Sequence, residues 1–384
     1  METLYSNNMI CRLCPNGCHL TLVEKDPRQI EIKGNRCVKG KSFVKRELMD
    51  CGMNVDSLDV VSYEKEDPFS FDELARIVSH WGFELKKILP KIFIEGSPER
   101  TEYRVVVEDK DGQWFALEQV TPASLNKKKR IINVLHLLDQ RHLPYIKPYL
   151  FDAAGRSIVD CDLGLWQLSP FIRGVALNRE QYLYEGWRAP LLADFLLRLR
   201  KKSTGIPGFE EESFSLKEYV YHLVHQIHKH QGPLVAPINA VLAFCEDTLF
   251  RAYDQIPTCF CHGDFHALNI IWGHRQIKAV IDWEFCGFKP EIYDVGNMVG
   301  CLGVEHPSSL KGDLVVDFIT MLKEQSDISD HSWKLLVDFI VALRFAWLSE
   351  WLRKEDTEMI TLELDYMNLL IENKQALLEL WNIN

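Results

Sequence analysis

The stretch that most restricts the fold is CFCHGDFHALNIIW, residues 259–272, together with the residues that follow it. It places His262, Asp264, His266 and Asn269 within eight positions, between apolar and aromatic flanks. A glycine beside so many polar side chains marks a loop. Two short apolar runs come next, NIIW and IKAVI, separated by the polar GHRQ, and they predict a β-hairpin. Asn269 opens the first strand and Asp282 follows the second, so the hairpin brings these two side chains together at its open end.

Around this feature the chain changes character twice. Near SYEKEDP, residues 62–68, a charged stretch ending in proline closes a cysteine-rich head. FDELARIVSHWG then shows helical spacing with a glycine stop, and KIFIEG, TEYRVVVED and WFALEQV read as strands. The Asp-Gly pair in EDKDGQW makes the last two a hairpin. NKKKRIINVLHLLDQ is a helix with Ile131, Val134, Leu135 and Leu138 on one face, and SIVD and LWQLSPF are further strand candidates. Beyond Gly174, long helical patterns dominate, among them PLLADFLLRLRKK, LKEYVYHLVHQIHKH, AVLAFCEDTLFRAYDQ and LLVDFIVALRFAWLSEWLRK.

The expected organisation is α+β in three parts: a small head over 1–66, a strand-rich lobe with one helix over 67–174, and a helical lobe over 175–384. A cleft between the two lobes is the expected place for a ligand. With 384 residues, 47% of them hydrophobic, the chain has enough apolar material for two or three cores. No apolar run reaches about 18 residues and no leader pattern opens the chain, so a cytoplasmic protein without a membrane partner is expected. A net charge of −11 leaves no basic footprint for nucleic acid, NKKKR at 126–130 being only a local run.

Phosphoryl transfer asks little covalent chemistry of a protein: a carboxylate that orients a hydroxyl and accepts its proton, and oxygen ligands that hold magnesium on the phosphates. In protein kinases a base Asp precedes a metal-binding Asn by five residues, and a second metal-binding Asp follows on the next strand turn. Asp264, Asn269 and Asp282 have that spacing. HGDFHALN and IDWEFCGFKPEIYDVGN resemble the H-G-D-x-H-x-x-N and I-D-W-E…P…D patterns of the aminoglycoside phosphotransferase-like small-molecule kinases, whose relatives act on choline, homoserine and methylthioribose.

The resemblance spans residues 70 to 350, approximately, and implies a bilobal protein-kinase-like fold using ATP and Mg2+. It makes Asp264 the catalytic base, Asn269 and Asp282 the magnesium ligands, His262 a loop-shaping residue and Asp294 a carboxylate supporting the catalytic loop. WQLSPFIRG looks like the hinge that would receive adenine through backbone groups near Leu168, Ser169 and Pro170.

One position departs from that pattern. Kinases carry a lysine on the third strand, paired with a helix glutamate, to hold the phosphates. In WFALEQV this place falls to Glu118. A carboxylate aimed at triphosphate repels it, by about 1 kcal/mol in water at 4 Å and more in a partly dry cleft. One reading is a swapped ion pair, in which Glu118 anchors Lys128 or Lys129 of the next helix and that lysine meets the phosphates. The other treats the basic run as a solvated helix start.

Cys11, Cys14, Cys18 and Cys37 give C-x2-C-x3-C-x18-C in the head. Four thiolates on tight Pro and Gly turns can converge on one soft centre, Zn2+ or a 4Fe-4S cluster, with CPNGC favouring the cluster. The motif is similar to the N-terminal cluster of molybdopterin oxidoreductases and, more closely, to small domains of the C-x-x-C-P-x-G-C type. A structural or sensing role is expected of it.

The expected activity is therefore ATP- and Mg2+-dependent phosphorylation of a hydroxyl on a small molecule, the acidic helical lobe favouring a cationic or neutral alcohol. Two alternatives stay open: a nucleotide-binding sensor or scaffold without transfer, for which Glu118 speaks, and ATP-dependent nucleotidyl transfer.

Overall fold

The computed structural model describes residues 8–10, 19–26, 29–33, 38–50, 59–62, 68–92, 94, 101–179, 181–209, 214–230 and 232–383. Its contacts divide the chain into two units, Met1–Ala123 with Leu150–Phe171, and Ser124–Tyr149 with Ile172–Asn384. The helix after the basic run thus takes its contacts with the second unit, although in sequence it lies between strands of the first.

The first unit holds two sheets. One runs β1 (Asn8–Ile10), β2 (His19–Asp26), β3 (Gln29–Lys33) and β4 (Asp59–Ser62) in that order. The first two joins are antiparallel, whereas β3 and β4 are parallel. A parallel join needs a crossover, and α1 (Val38–Asp50) lies in it. Leu20, Leu22, Ile30 and Ile32 are buried at period two, and Val44 and Leu48 at i, i+4, the periods of strand and helix. The proposed ligands Cys11, Cys14, Cys18 and Cys37 lie outside the described residues.

The second sheet has the order β5-β6-β7-β9-β8, from β5 (Leu85–Leu89), β6 (Tyr103–Asp109), β7 (Trp114–Val120), β8 (Val159–Cys161) and β9 (Gly164–Pro170). Asp109 and Gln113 close the β6–β7 hairpin, and Gly112 at φ +77° supplies the left-handed residue that such a three-residue loop requires. On one face Val105, Val107, Phe115, Leu117, Trp166 and Leu168 form a core with Leu74, Ile77 and Val78 of α2 (Phe71–Ser79). Each such apolar side chain contributes about 1.5–3 kcal/mol on full burial. The start of α2 is fixed by a capping box, the Ser70 side chain accepting from the Glu73 N–H while Glu73 accepts from the Ser70 N–H.

A strand forms just before KIFIEG, as LKKIL, and ends at Pro90, which has no N–H to continue the ladder; the chain turns there. Phe93, Glu95 and Gly96 of KIFIEG lie outside the described residues.

The second unit begins with α3 (Leu125–Gln140), whose buried face includes Ile131, Val134, Leu135 and Leu138 as the periodicity predicts. Helices α4 (Ala189–Lys202), α5 (Leu216–His230), α6 (Val235–Asp247) and α7 (Leu249–Ala252) follow. The expected single helix AVLAFCEDTLFRAYDQ is broken at Thr248, whose backbone leaves the helical region at φ −117° and ψ −93°. Gly232–Gln255 is long and apolar enough, by length and composition only, to cross a membrane, although Asn239, Glu246, Asp247 and Arg251 interrupt it, and Ile238, Val241 and Cys245 within it face the core.

Two small two-stranded sheets then carry the polar motif. β10 (Thr258–Cys261) pairs with β13 (Gly287–Pro290), and β11 (Ile270–Gly273) pairs with β12 (Gln276–Val280), all antiparallel. The remainder is helical: α8 (Tyr293–Glu305), α9 (Asp313–Gln325), α10 (Asp330–Lys334), α11 (Leu336–Arg353), α12 (Thr357–Glu372) and α13 (Lys374–Leu380). α11 packs against α8 and α12 and is buried over most of its circumference from Leu336 to Phe345.

Candidate active site

Three segments of the second unit converge on Asp264: the loop after β10, the open end of the β11–β12 hairpin, and the first turn of α8. The loop begins at His262, which is fully buried. Its Nδ1 lies 3.2 Å from the Asp264 backbone N–H and its Nε2 lies 2.9 Å from the Ile281 carbonyl. A backbone N–H only donates and a carbonyl only accepts, so His262 is the neutral tautomer with its proton on Nε2. Burial pushes its pKa down, against the nearby carboxylates of Asp294, Asp264 and Asp282. The Trp283 ring packs on the imidazole at 4.5 Å between centroids.

Gly263 follows at φ +81°, and a Cβ there would sit 2.1 Å from the Phe285 carbonyl oxygen. Only glycine lets the loop pass so close to that backbone. Asp294, in the first turn of α8, accepts the N–H of His262 at 2.7 Å and of Gly263 at 2.8 Å. Its carboxyl is wholly buried, which raises its pKa, while His262 and these two donors pull the other way. Asp294 thus fixes the backbone immediately before Asp264.

The Asp264 carboxylate meets three side chains. Asn269 Nδ2 donates to its Oδ2 at 3.0 Å and to the Asp264 carbonyl at 2.9 Å. His266 Nε2 lies 3.5 Å from Oδ1, and Asn297 Nδ2 also 3.5 Å from Oδ1 while donating to the Phe265 carbonyl at 3.3 Å. Asn297 was not read from the sequence, and His266 was noted in the loop without a role. Their signals were the second histidine of the loop and the i, i+3 spacing of Asp294 and Asn297, which puts both on one face of α8. Behind the loop, Phe265 stacks on Phe195 at 5.5 Å.

Asn269 and Asp282 stand at the ends of the hairpin strands, joined by the Ile281 N–H donating to the Asn269 carbonyl at 2.9 Å. With the Asn269 amide nitrogen committed to Asp264, its Oδ1 is the atom turned away from that carboxylate. An amide oxygen and a carboxylate are the hard donors that Mg2+ takes, so this pair fits the metal that the sequence reading implied. Asp282 adopts φ +61° and ψ 60°, a left-handed conformation that is uncommon outside glycine and needs support from its surroundings.

Part of that support comes from α3. Lys128, buried, forms an ion pair with Glu284, two residues past Asp282, and Lys127 Nζ lies 3.9 Å from the other Glu284 oxygen. The burial of Lys128 does not fit a solvated helix start, one of the two readings of the basic run. α3 packs on the turn Trp283–Phe285, where a nearly buried carboxylate must have a cation. Lys129 is exposed.

In the first unit, Glu118 lies on β7 opposite Arg104 of β6 and Gln167 of β9. Its carboxylate accepts from Gln167 Nε2 at 2.9 Å. Ser169 pairs with Ala116, and the Leu168 side chain belongs to the core on the other face. The Leu168 carbonyl already accepts the Leu150 N–H at 2.7 Å.

The family model described as "Phosphotransferase enzyme family" matches residues 95–325. No curated protein sequence matches. Among solved structures, an amicoumacin kinase complex with AMP-PNP, Ca2+ and its ligand is 12% identical with a TM-score of 0.58, over 78% of this chain and 93% of that one. An aminoglycoside phosphotransferase from Alicyclobacillus acidocaldarius is 13% identical with a TM-score of 0.57, over 83% and 97%. Spectinomycin phosphotransferase with ADP and spectinomycin is 14% identical with a TM-score of 0.58, over 81% and 99%. At these identities the likeness is one of fold.

Proposed function

The chain belongs to the phosphotransferase enzyme family, and on that premise we propose that it moves the γ-phosphoryl group of ATP to the hydroxyl of a small molecule. The observation that carries this reading is the Asp264 carboxylate, held in place by Asn269 and flanked by Asn297 and His266 at 3.5 Å. Asp264 orients the hydroxyl and takes its proton as the hydroxyl oxygen attacks the γ-phosphorus. The bond to the bridging oxygen breaks, and ADP leaves. Asn269 and Asp282 hold Mg2+, which when bound neutralises charge on the phosphates. His262 and Asp294 fix the backbone that aims Asp264.

The substrate class we assign is a cationic or neutral alcohol, supported by the acidic residues of the helical lobe, as in AFCEDT and KEDTE. Cys11, Cys14, Cys18 and Cys37 we assign to a 4Fe-4S cluster or Zn2+ of structural or sensing role, supported by their spacing. Iron and zinc analysis of anaerobically purified protein tests the latter, absence of both overturning it.

A second reading is favoured by Glu118 at the place of the strand lysine: a nucleotide-binding module without transfer. The deciding experiment compares ADP release by wild type and Asp264→Asn with Mg-ATP and a metabolite extract. Extract-dependent release that falls about 10²- to 10⁴-fold in the variant supports phosphotransfer. Bound ATP with no release in either supports the binding module, and AMP or pyrophosphate points to nucleotidyl transfer.

A further inference from the structure

The basic run at the start of α3 has a partner that neither the motif nor the spacing indicates. Lys128 is 4% exposed, and its ammonium pairs with Glu284, whose side chain is 10% exposed. Lys127 lies 3.9 Å from the second Glu284 oxygen and 5.5 Å from the centroid of the Phe285 ring. Glu284 and Phe285 belong to the short 3-10 turn that immediately follows Asp282.

Asp282 itself is left-handed, a conformation that costs an aspartate energy and does not persist unless both flanks are fixed. On the N-terminal side the chain is fixed by Ile281, whose N–H donates to Asn269 and whose carbonyl accepts from His262. On the C-terminal side Trp283 Nε1 donates to Val280 at 3.0 Å. Apart from this bond, the side-chain attachments of the turn that reach beyond its own hairpin include the imidazole packed on Trp283 and the lysines of α3.

We infer that Lys128 is a positioning residue for the metal-holding carboxylate: by pairing with Glu284 it holds the turn that presents Asp282. The pairing also keeps the Glu284 carboxylate turned onto α3, so that one acid of the D-W-E sequence faces the metal site and the other is neutralised. The strand position that carries lysine in kinases is Glu118 here and accepts from Gln167. The buried cation of this segment stands on the helix, and what it holds is the turn after Asp282. The inference rests on the assignment of Asp282 to Mg2+ under the proposed function.

The test is calorimetric and needs no substrate. Binding of ATP is measured with and without Mg2+ for wild type, Lys128→Met, Lys128→Arg and the reversed pair Lys128→Glu with Glu284→Lys. Lys128→Met is expected to lose about tenfold or more of the affinity that Mg2+ adds, in the range typical of groups that orient a metal ligand. Metal-free ATP should bind within twofold of wild type, Lys128→Arg should retain most of the Mg2+ effect, and the reversed pair should recover part of it. A wild-type Mg2+ effect in folded Lys128→Met overturns the inference, as does an equal loss with and without Mg2+, which would mean that Lys128 touches the nucleotide directly.

If Lys128→Met does not fold, Lys128→Met with Glu284→Gln strands no charge and is measured in its place. Failure of wild type to bind ATP more tightly with Mg2+ overturns the parent assignment of Asp282, and is distinguishable because it concerns the unaltered protein.

Discussion

The Gly263 N–H donates to the carboxylate of Asp294 at 2.8 Å across 31 positions of chain. The same glycine stands at φ +81° with no room for a Cβ before the Phe285 carbonyl. Gly263→Ala therefore meets two penalties. The left-handed conformation costs an alanine about 1–2 kcal/mol, and the collision moves the backbone that ends in Asp264. Displacing a reacting group by about 1 Å can cost about 10²-fold in rate. The variant should remain folded with a lowered urea midpoint and lose most of its ADP release. Wild-type release would show that the loop tolerates the shift.

His262 makes stability depend on pH in a defined direction. Burial holds its folded pKa below the ordinary value of 6.5. Below about pH 6.5 the unfolded chain therefore binds a proton that the folded chain does not. Stability from this group is complete above that pH and is lost as pH falls towards the folded pKa. Protonation also removes the Nδ1 lone pair that receives the Asp264 N–H. Urea midpoints between pH 5 and 8 should fall more steeply with acid in wild type than in His262→Gln. Parallel curves would refute the assignment of a neutral buried imidazole.

How much of this was legible beforehand differs from residue to residue. The hairpin of β11 and β12 was read from two apolar runs and the polar residues between them, because local period and turn chemistry specify it. The four helical positions Ile131, Val134, Leu135 and Leu138 were read for the same reason, and all are buried. Asn297 was not read, and His266 was noted without its place beside Asp264, since nothing local assigns a role to a helix Asn or a loop His until α8 is packed against the loop. The pairing of Lys128 with Glu284 was not read, for a related cause. Sequence order put α3 among the strands and suggested Glu118, whereas tertiary contact puts α3 in the second unit against Glu284. The break at Thr248 left no proline or glycine to mark it.

Arg344 of α11 and Glu363 of α12 form a buried pair, with side chains 3% and 1% exposed. Arg344 Nε donates to Glu363 Oε2 at 2.7 Å, its Nη2 pairs with Oε1, and Trp351 Nε1 donates to the same Oε1 at 3.2 Å. Arg344→Met leaves a carboxylate stranded in the core and should cost about 3–5 kcal/mol. Arg344→Met with Glu363→Leu strands none and should cost much less. Chemical denaturation of both reads the difference; equal losses would mean that packing volume, not charge, governs this joint.

Gln167 is fully buried, donates through Nε2 to Glu118 at 2.9 Å and leaves its Oε1 without a hydrogen bond. Turning the amide over would set two acceptors face to face, so Glu118 is what decides the orientation of Gln167. Glu118→Leu removes that acceptor and buries an unpaired amide nitrogen beside an oxygen that is already unpaired, a loss of about 1–3 kcal/mol. Gln167→Leu removes both amide atoms, while the half-buried Glu118 keeps access to water, so the loss should be smaller. The double variant removes every stranded polar group and should lie closer to wild type than the sum of the two single changes. A complete cycle by urea denaturation measures the coupling. If the two changes are additive, the Glu118–Gln167 hydrogen bond adds no coupling energy to stability.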